Sequence, residues 1–228
     1  MSLRAIVSYD DSQNDLDALM LGHMLREAGA ALTLAYVRHA TSRRHADERL
    51  SQRAAERLLA RGASRLGDQS IERRVVVSAS TGDGLGWLAA RETADLIVFG
   101  SDYRTGRGHV APGRSAQTLL EGGPTALALA PAGYADFARC EIASVGVLHG
   151  SADEAAIETA FALARALGGE VVDRDDEIDL LVVGSRVEAP AGRLLITAGA
   201  RNAIERATVP VLVVARGVAL RFESLVAV

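Results

Sequence analysis

The 228-residue chain has no lysine, because all 25 of its basic residues are arginine. A Walker-type phosphate lysine, a Schiff-base lysine and a lysine acid or base are excluded together. The single cysteine, Cys140, leaves no intrachain disulfide and no thiolate metal cluster, and its context FARCEIAS predicts a small packed side chain. Aromatic residues make up only 4% of the chain, so the core is expected to be thin aliphatic layers. No apolar run approaches the roughly 18 residues of a membrane-spanning helix. The opening MSLRAIVSYDDS has no long apolar stretch behind its arginine, unlike an export signal, and a cytoplasmic protein is expected. The net charge of −4 and a pI near 5.8 give no basic footprint for nucleic acid or an anionic membrane.

What is present is a globular composition, 49% hydrophobic and 24% charged. Short β-branched runs alternate with amphipathic stretches. Strands are predicted at 3–8, 31–37, 73–78, 96–99 and 126–130, and helices at 14–28, 42–66, 85–92 and 115–120. The second of these helices carries Leu50, Ala54, Leu58 and Leu59 along one face. Near-continuous apolar strands between helices predict a parallel sheet covered on both faces, a doubly wound α/β domain.

The second part of the sequence repeats the first. DLIVFGSDY at 95–103 returns as DLLVVGSRV 84 residues later, and AIVSYDDS at 5–12 corresponds to SVGVLHGS 139 residues later. The second copy is therefore 55 residues shorter between the two motifs, and lacks one helix-strand-helix section. Two α/β domains follow, at 1–135 and 141–228, the second truncated. A helix is expected at 155–167 and a remnant of the second strand at 170–173, before an acidic turn at 174–177. The apolar tail 217–228 is expected to cover the strand edge exposed by the loss.

In an open parallel sheet, ligands bind beyond the carboxyl ends of the strands, where strand order reverses. Two segments are expected to meet there: Ser8-Tyr9-Asp10-Asp11-Ser12, and the loop GSDYRTGRGHVAPGRS that starts at Gly100. The loop is glycine-rich and runs into a helix N-terminus at Ser115, where main-chain N–H groups suit an anion. Arg104, Arg107 and Arg114 can clamp phosphate in place of the missing lysine. A solvated surface loop is the plain alternative.

The order of elements, the DDS after the first strand, the glycine loop and the stretch VAPGRSAQTLLEGGPTALALAP resemble the universal stress protein family over almost the whole chain. The resemblance implies a Rossmann-like sheet of order 3-2-1-4-5, a stress-response role and, as in many members, ATP binding with Mg²⁺. It implies that Asp10 meets the adenine, Val37 gives a main-chain contact, Gly100 and Gly113 are the first and last loop glycines, and Arg114 and Ser115 lie at the phosphates. The sequence departs from the family at two of these positions: Tyr103 stands at the middle glycine, and Arg114 replaces a small hydroxyl residue. The ring of Tyr103 could fill the nucleotide's space. In the second copy Val187 and Thr197 replace the later glycines and His149 stands opposite Asp10, so no nucleotide is expected there. That half is expected to form an intramolecular pseudo-dimer with the first, pairing 125–130 with 209–215, and a further homodimer remains open.

Other groupings carry less. His23, His39, His45, His109 and His149 have no metal-ligand spacing, and no metal is expected. Asp15 with Asp17, and Asp173 with Asp175, sit two apart and do not share a helix face, so solvated turn or cap roles are the expectation. Trp87 is expected to pack a helix on the sheet. The leading function is a regulatory module that binds an adenine nucleotide in its first domain. A scaffold without nucleotide is the alternative, and a weak ATPase using Asp10, Asp11 or Asp102 ranks lower.

Overall fold

A computed structural model describes residues 2–39, 51–137, 142–148, 154–172 and 177–222. Cys140, His45, His149, Leu50, the pair Asp173 and Asp175, and the tail beyond 222 lie outside the described residues. The elements in chain order are β1 (Arg4–Ser8), α1 (Asp15–Glu27), β2 (Ala31–His39), α2 (Gln52–Arg65), β3 (Glu72–Ser78), α3 (Thr81–Glu92), β4 (Leu96–Gly100), α4 (Arg114–Leu120) and β5 (Ala126–Ala130). The short α5 (Tyr134–Phe137) leads on to β6 (Ser144–Val147), α6 (Glu154–Leu167), β7 (Glu170–Val172), β8 (Leu180–Gly184), α7 (Ala198–Arg206) and β9 (Val211–Val214).

The described strands form one nine-stranded sheet of order β3-β2-β1-β4-β5-β9-β8-β6-β7. Every neighbouring pair is parallel except β5 with β9, where Leu127, Ala128 and Leu129 face Val213, Leu212 and Val211. The strands read as apolar runs because helices cover both faces: all five residues of β5 and of β8 are buried. One core cluster joins Val7, Tyr9, Leu19, Leu21, Leu25, Leu58, Leu59, Leu163 and Val182. The cluster on the opposite face joins Ile6, Val37, Leu85, Leu88, Leu119, Leu127, Val183 and Ile204.

The 84-residue offset recurs in the hydrogen bonds around the β5–β9 junction. Val110 N donates to Ala207 O at 3.1 Å and Leu194 N to Gly123 O at 3.0 Å, two bonds related by exchange of partners. Gly108 N to Ala132 O matches Gly192 N to Arg216 O, and all of Gly108, Gly133, Gly192 and Gly217 have positive φ. These are turns that only glycine adopts without strain.

Two expectations change here. Helix α3 begins at Thr81, four residues before the predicted start, although Gly82, Gly84 and Gly86 are poor helix formers. Packing overrides propensity: a Cβ on Gly84 would come within 2.9 Å of Val37 Cγ1, and one on Gly82 within 3.1 Å of Ser115 O. The described part of the tail does not run along β7. It lies on α6, with Leu220 and Phe222 buried and Leu220 N bonded to Thr159 Oγ1 at 2.9 Å.

Candidate functional site

Strand order reverses at β1, which pairs with β2 on one side and β4 on the other. The carboxyl ends of β1, β2 and β4 and the start of α4 therefore open on one end of the sheet. Asp10, Val37, Gly100, Gly113, Arg114 and Ser115 all belong to those segments.

Gly100 ends β4 because nothing larger fits: a Cβ there would overlap the carbonyl oxygen of Asn14, the residue before α1. Asn14 Nδ2 also donates to Ser101 O at 2.7 Å, which fixes the start of α1 against the end of β4. Gly113 differs, since a Cβ there would meet only Asp102, at 3.9 Å. It is the N-cap of α4 and supplies no side-chain cap. The first N–H groups of α4 thus lack a capping oxygen, and Arg114 beside them is exposed. Ser115 is half-buried against Gly82.

The loop between the two glycines is tied down. Ser101 Oγ donates to Ala130 O at 2.7 Å and accepts from Ala111 N at 3.2 Å, while Asp102 N donates to Ala111 O. Val110 is buried and bonded to Ala207 O. The base of the loop is thus anchored, while its tip, with Arg104, Arg107 and His109, is exposed at the surface as the plain alternative expects. The Tyr103 ring is 73% exposed and lies against Arg104, which donates to its hydroxyl at 2.7 Å. It borders a separate cavity of about 330 Å³ shared with Asn14, Asp17 and Arg107.

Val37 is buried, with its side chain against Gly84. Only its main chain is left for a ligand. Tyr9 N reaches Ala35 O, and strand groups alternate, so the N–H and C=O of Val37 point the same way, past the end of β1.

The turn after β1 carries two carboxylates with opposite environments. Asp11 adopts φ 67°, the left-handed region, and accepts from Tyr9 Oη at 2.6 Å, Arg61 Nη2 at 2.7 Å and Arg65 Nη1 at 3.1 Å. The Tyr9 hydroxyl, then Arg61, holds its carboxyl below the usual range. Burial, then the hydrogen bond to Asp11, pushes the Tyr9 hydroxyl up. Asp10 is exposed, and its Oδ1 accepts from Ser12 N at 2.9 Å while its own N–H donates to Asp15 Oδ2. Asp15 is pushed up to about 8, first by burial and then by the neighbouring Asp10 carboxyl.

Sequence reasoning missed several of these roles. Asp17 is not solvated: it is buried and accepts from Gly133 N and Ala135 N, both at 2.8 Å, while Asp15 is half-buried at the turn after β1. Asp15 takes the expected local turn role through Asp10 N, whereas the partners of Asp17 are more than a hundred residues away, so no local signal marks it. Tyr9 is likewise a buried hub. Trp87 is 53% exposed and stacks under Arg91 beside the outer edge of β3, where it borders a cavity of about 540 Å³, instead of packing into the core. Among the described residues no group of three His, Cys, Asp or Glu could hold a metal ion, and no helix is long and apolar enough to cross a membrane.

The second half repeats the loop with different ends. Ser185 Oγ donates to Val214 O at 2.9 Å and accepts from Leu195 N at 3.3 Å, matching Ser101. The N-cap of α7 is Thr197, whose hydroxyl accepts from Ala200 N at 3.1 Å. That helix start is closed by its own side chain.

The sequence matches no protein-family model and no curated protein. The structure is similar to solved ones. A universal stress protein from Archaeoglobus fulgidus DSM 4304 superposes with TM-score 0.62 at 15% identity, over 95% of this chain and 100% of that one. A Pseudomonas aeruginosa UCBPP-PA14 protein, provisionally described as a universal stress protein, gives 0.63 at 12% identity over 93% of each. A protein of unknown function from Pseudomonas aeruginosa PAO1 gives 0.60 at 12% identity, over 93% of this chain and 92% of that one. With its parallel sheet, alternating helices and crevice beside β1, the chain has the universal stress protein fold.

Proposed function

We propose that the chain is a regulatory binding protein built of two universal stress protein-like units, 1–135 and 141–228, and that the first holds an adenine nucleotide. The observation that carries this reading is the bare N-cap at Gly113. It leaves the α4 N–H groups uncapped next to the exposed Arg114, at the crevice end of the sheet. Uncapped N–H groups and a guanidinium suit phosphate oxygens. The Val37 main chain and Asp10 line the side where the base would lie, and Ser115 adds a hydroxyl. Mg²⁺ would arrive with the phosphates, which supply most of its ligands. The second unit, with its Thr197 cap, acts as the packing partner of a pseudo-dimer.

Hydrolysis is disfavoured. Asp11 is committed to Tyr9, Arg61 and Arg65, while Asp10 and Asp102 each accept a local main-chain N–H through Oδ1, from Ser12 at 2.9 Å and from Arg104 at 3.0 Å. A scaffold without nucleotide is the second reading, favoured by the anchoring of the loop to the second half through Val110.

Isothermal titration with ATP and Mg²⁺ tests both. One site per chain is expected, weakened about tenfold or more in Arg114→Ala through loss of a charged hydrogen bond, and unchanged in Tyr103→Gly. No heat from the natural chain at millimolar nucleotide would leave the scaffold reading.

A further inference from the structure

We propose that the outer face of α6 docks a second copy of this chain, the two α6 helices lying antiparallel about a two-fold axis. Ile157 and Phe161 are 43% and 58% exposed and stand one helical turn apart. Glu154, Glu158 and Arg165 are exposed on the same stripe. No large hydrophobic residue of α1 is exposed in this way. Its Leu19 shares a core cluster with Leu58 and Leu59 of α2, and Arg26 pairs with Asp68 just beyond α2 at 2.9 Å. On the same side of the sheet, no described helix follows α6 toward the β7 edge. The apolar pair is thus left where a neighbouring helix would otherwise stand.

The charges select the occupant. Glu158 and Arg165 lie seven residues apart on one side of the stripe, and neither enters an ion pair among the described residues. When α6 meets its own copy antiparallel, with the axis passing beside Phe161, each Glu158 faces the copy's Arg165. The two Phe161 rings meet at the centre. A parallel pair, related by an axis along the helices, would carry the charged side of the stripe to opposite edges of the contact, so that Glu158 would meet no Arg165. The stripe is self-complementary in one orientation only, the signature of an isologous contact. An apolar centre rimmed by matched charge is also the usual anatomy of an interface.

Sedimentation of the full chain across a concentration series provides the test. A monomer–dimer equilibrium is expected. Phe161→Glu should weaken it by about thirtyfold or more, as truncating a central anchor does. Glu158→Arg and Arg165→Glu should each weaken it by about tenfold, and the double reversal should recover most of the loss. All three substitutions are at exposed positions, and circular dichroism verifies that the fold is kept. A monomer at every concentration overturns the proposal. So does a dimer indifferent to Phe161→Glu, or a double reversal no tighter than the single ones.

Discussion

Loops 100–113 and 184–197 share a main-chain frame and differ in how the helix after each begins. In both, a serine hydroxyl bridges the following strand and the far side of the hairpin. In both, a main-chain bond reaches across to the opposite half. The first loop ends in a glycine that caps nothing, the second in a threonine that caps its own helix. The frame is therefore a structural device common to the two halves, and the helix starts differ in whether their first N–H groups are capped by a side chain. The glycines of the first loop divide the same way: Gly100 is required by packing and Gly113 is not.

The largest effect that sharpens this division comes from Gly100→Ala. The added methyl overlaps the Asn14 carbonyl, which is main chain and cannot rotate away. The end of β4 or the start of α1 must shift, at a cost of about 2–3 kcal/mol or more. Urea unfolding checks it, with Gly113→Ala as the control. That methyl meets nothing closer than 3.9 Å, and a change within about 0.5 kcal/mol is expected. Equal losses at the two positions would erase the distinction.

The turn after β1 gives a contrast of similar kind, between Asp11 and Asp15. The Asp15 carboxyl is raised from 3.8 to about 8 in the folded chain, so the folded state holds a proton that the unfolded state releases. Its stabilising contribution is complete below about pH 4 and is lost as pH rises toward 8. Asp11 is lowered, and its contribution is present above its unfolded value and lost as pH falls through its depressed folded one. Stability against pH, measured by denaturant midpoint, should flatten between about pH 4 and 8 in Asp15→Asn. Asp11→Asn should flatten only the acid limb. An unchanged slope in Asp15→Asn would mean that the carboxyl is charged throughout.

Much of this architecture is legible in the sequence. The β-branched runs locate the strands to within about two residues of their ends, and the pairing of 125–130 with 209–215 that the resemblance implies appears as β5 against β9, with an antiparallel direction the sequence does not specify. Three glycines mask the first turns of helix α3 in the sequence; the reason for two of them, the approach of Val37 to Gly84 and of Ser115 to Gly82, is tertiary. Helix α7 hides in the second loop because only Ala200 and Ile204 anchor it, too few for a period. At the candidate site, residue types pointed to the crevice. They could not reveal that Tyr103 turns outward onto Arg104, or that Asp17 is buried by N–H groups more than a hundred residues away.

The finest prediction exchanges the two helix starts. Gly113 has φ −66° and ψ 169°, and Thr197 has φ −76° and ψ 163°, so each conformation admits either residue. In Gly113→Thr the new hydroxyl is positioned to accept from an N–H of the first turn of α4. The chain should gain from a few tenths to about 1 kcal/mol. The same hydroxyl competes with phosphate for that N–H, so nucleotide affinity should fall while stability rises. Thr197→Ala should do the reverse at the other end: about 1 kcal/mol of stability lost with α7 uncapped, and the nucleotide titration unchanged. Calorimetric melting and titration of the two variants read both quantities. A Gly113→Thr chain that gains stability and binds ATP as the natural chain does would move the phosphates away from α4. The first loop would then be a structural frame like the second.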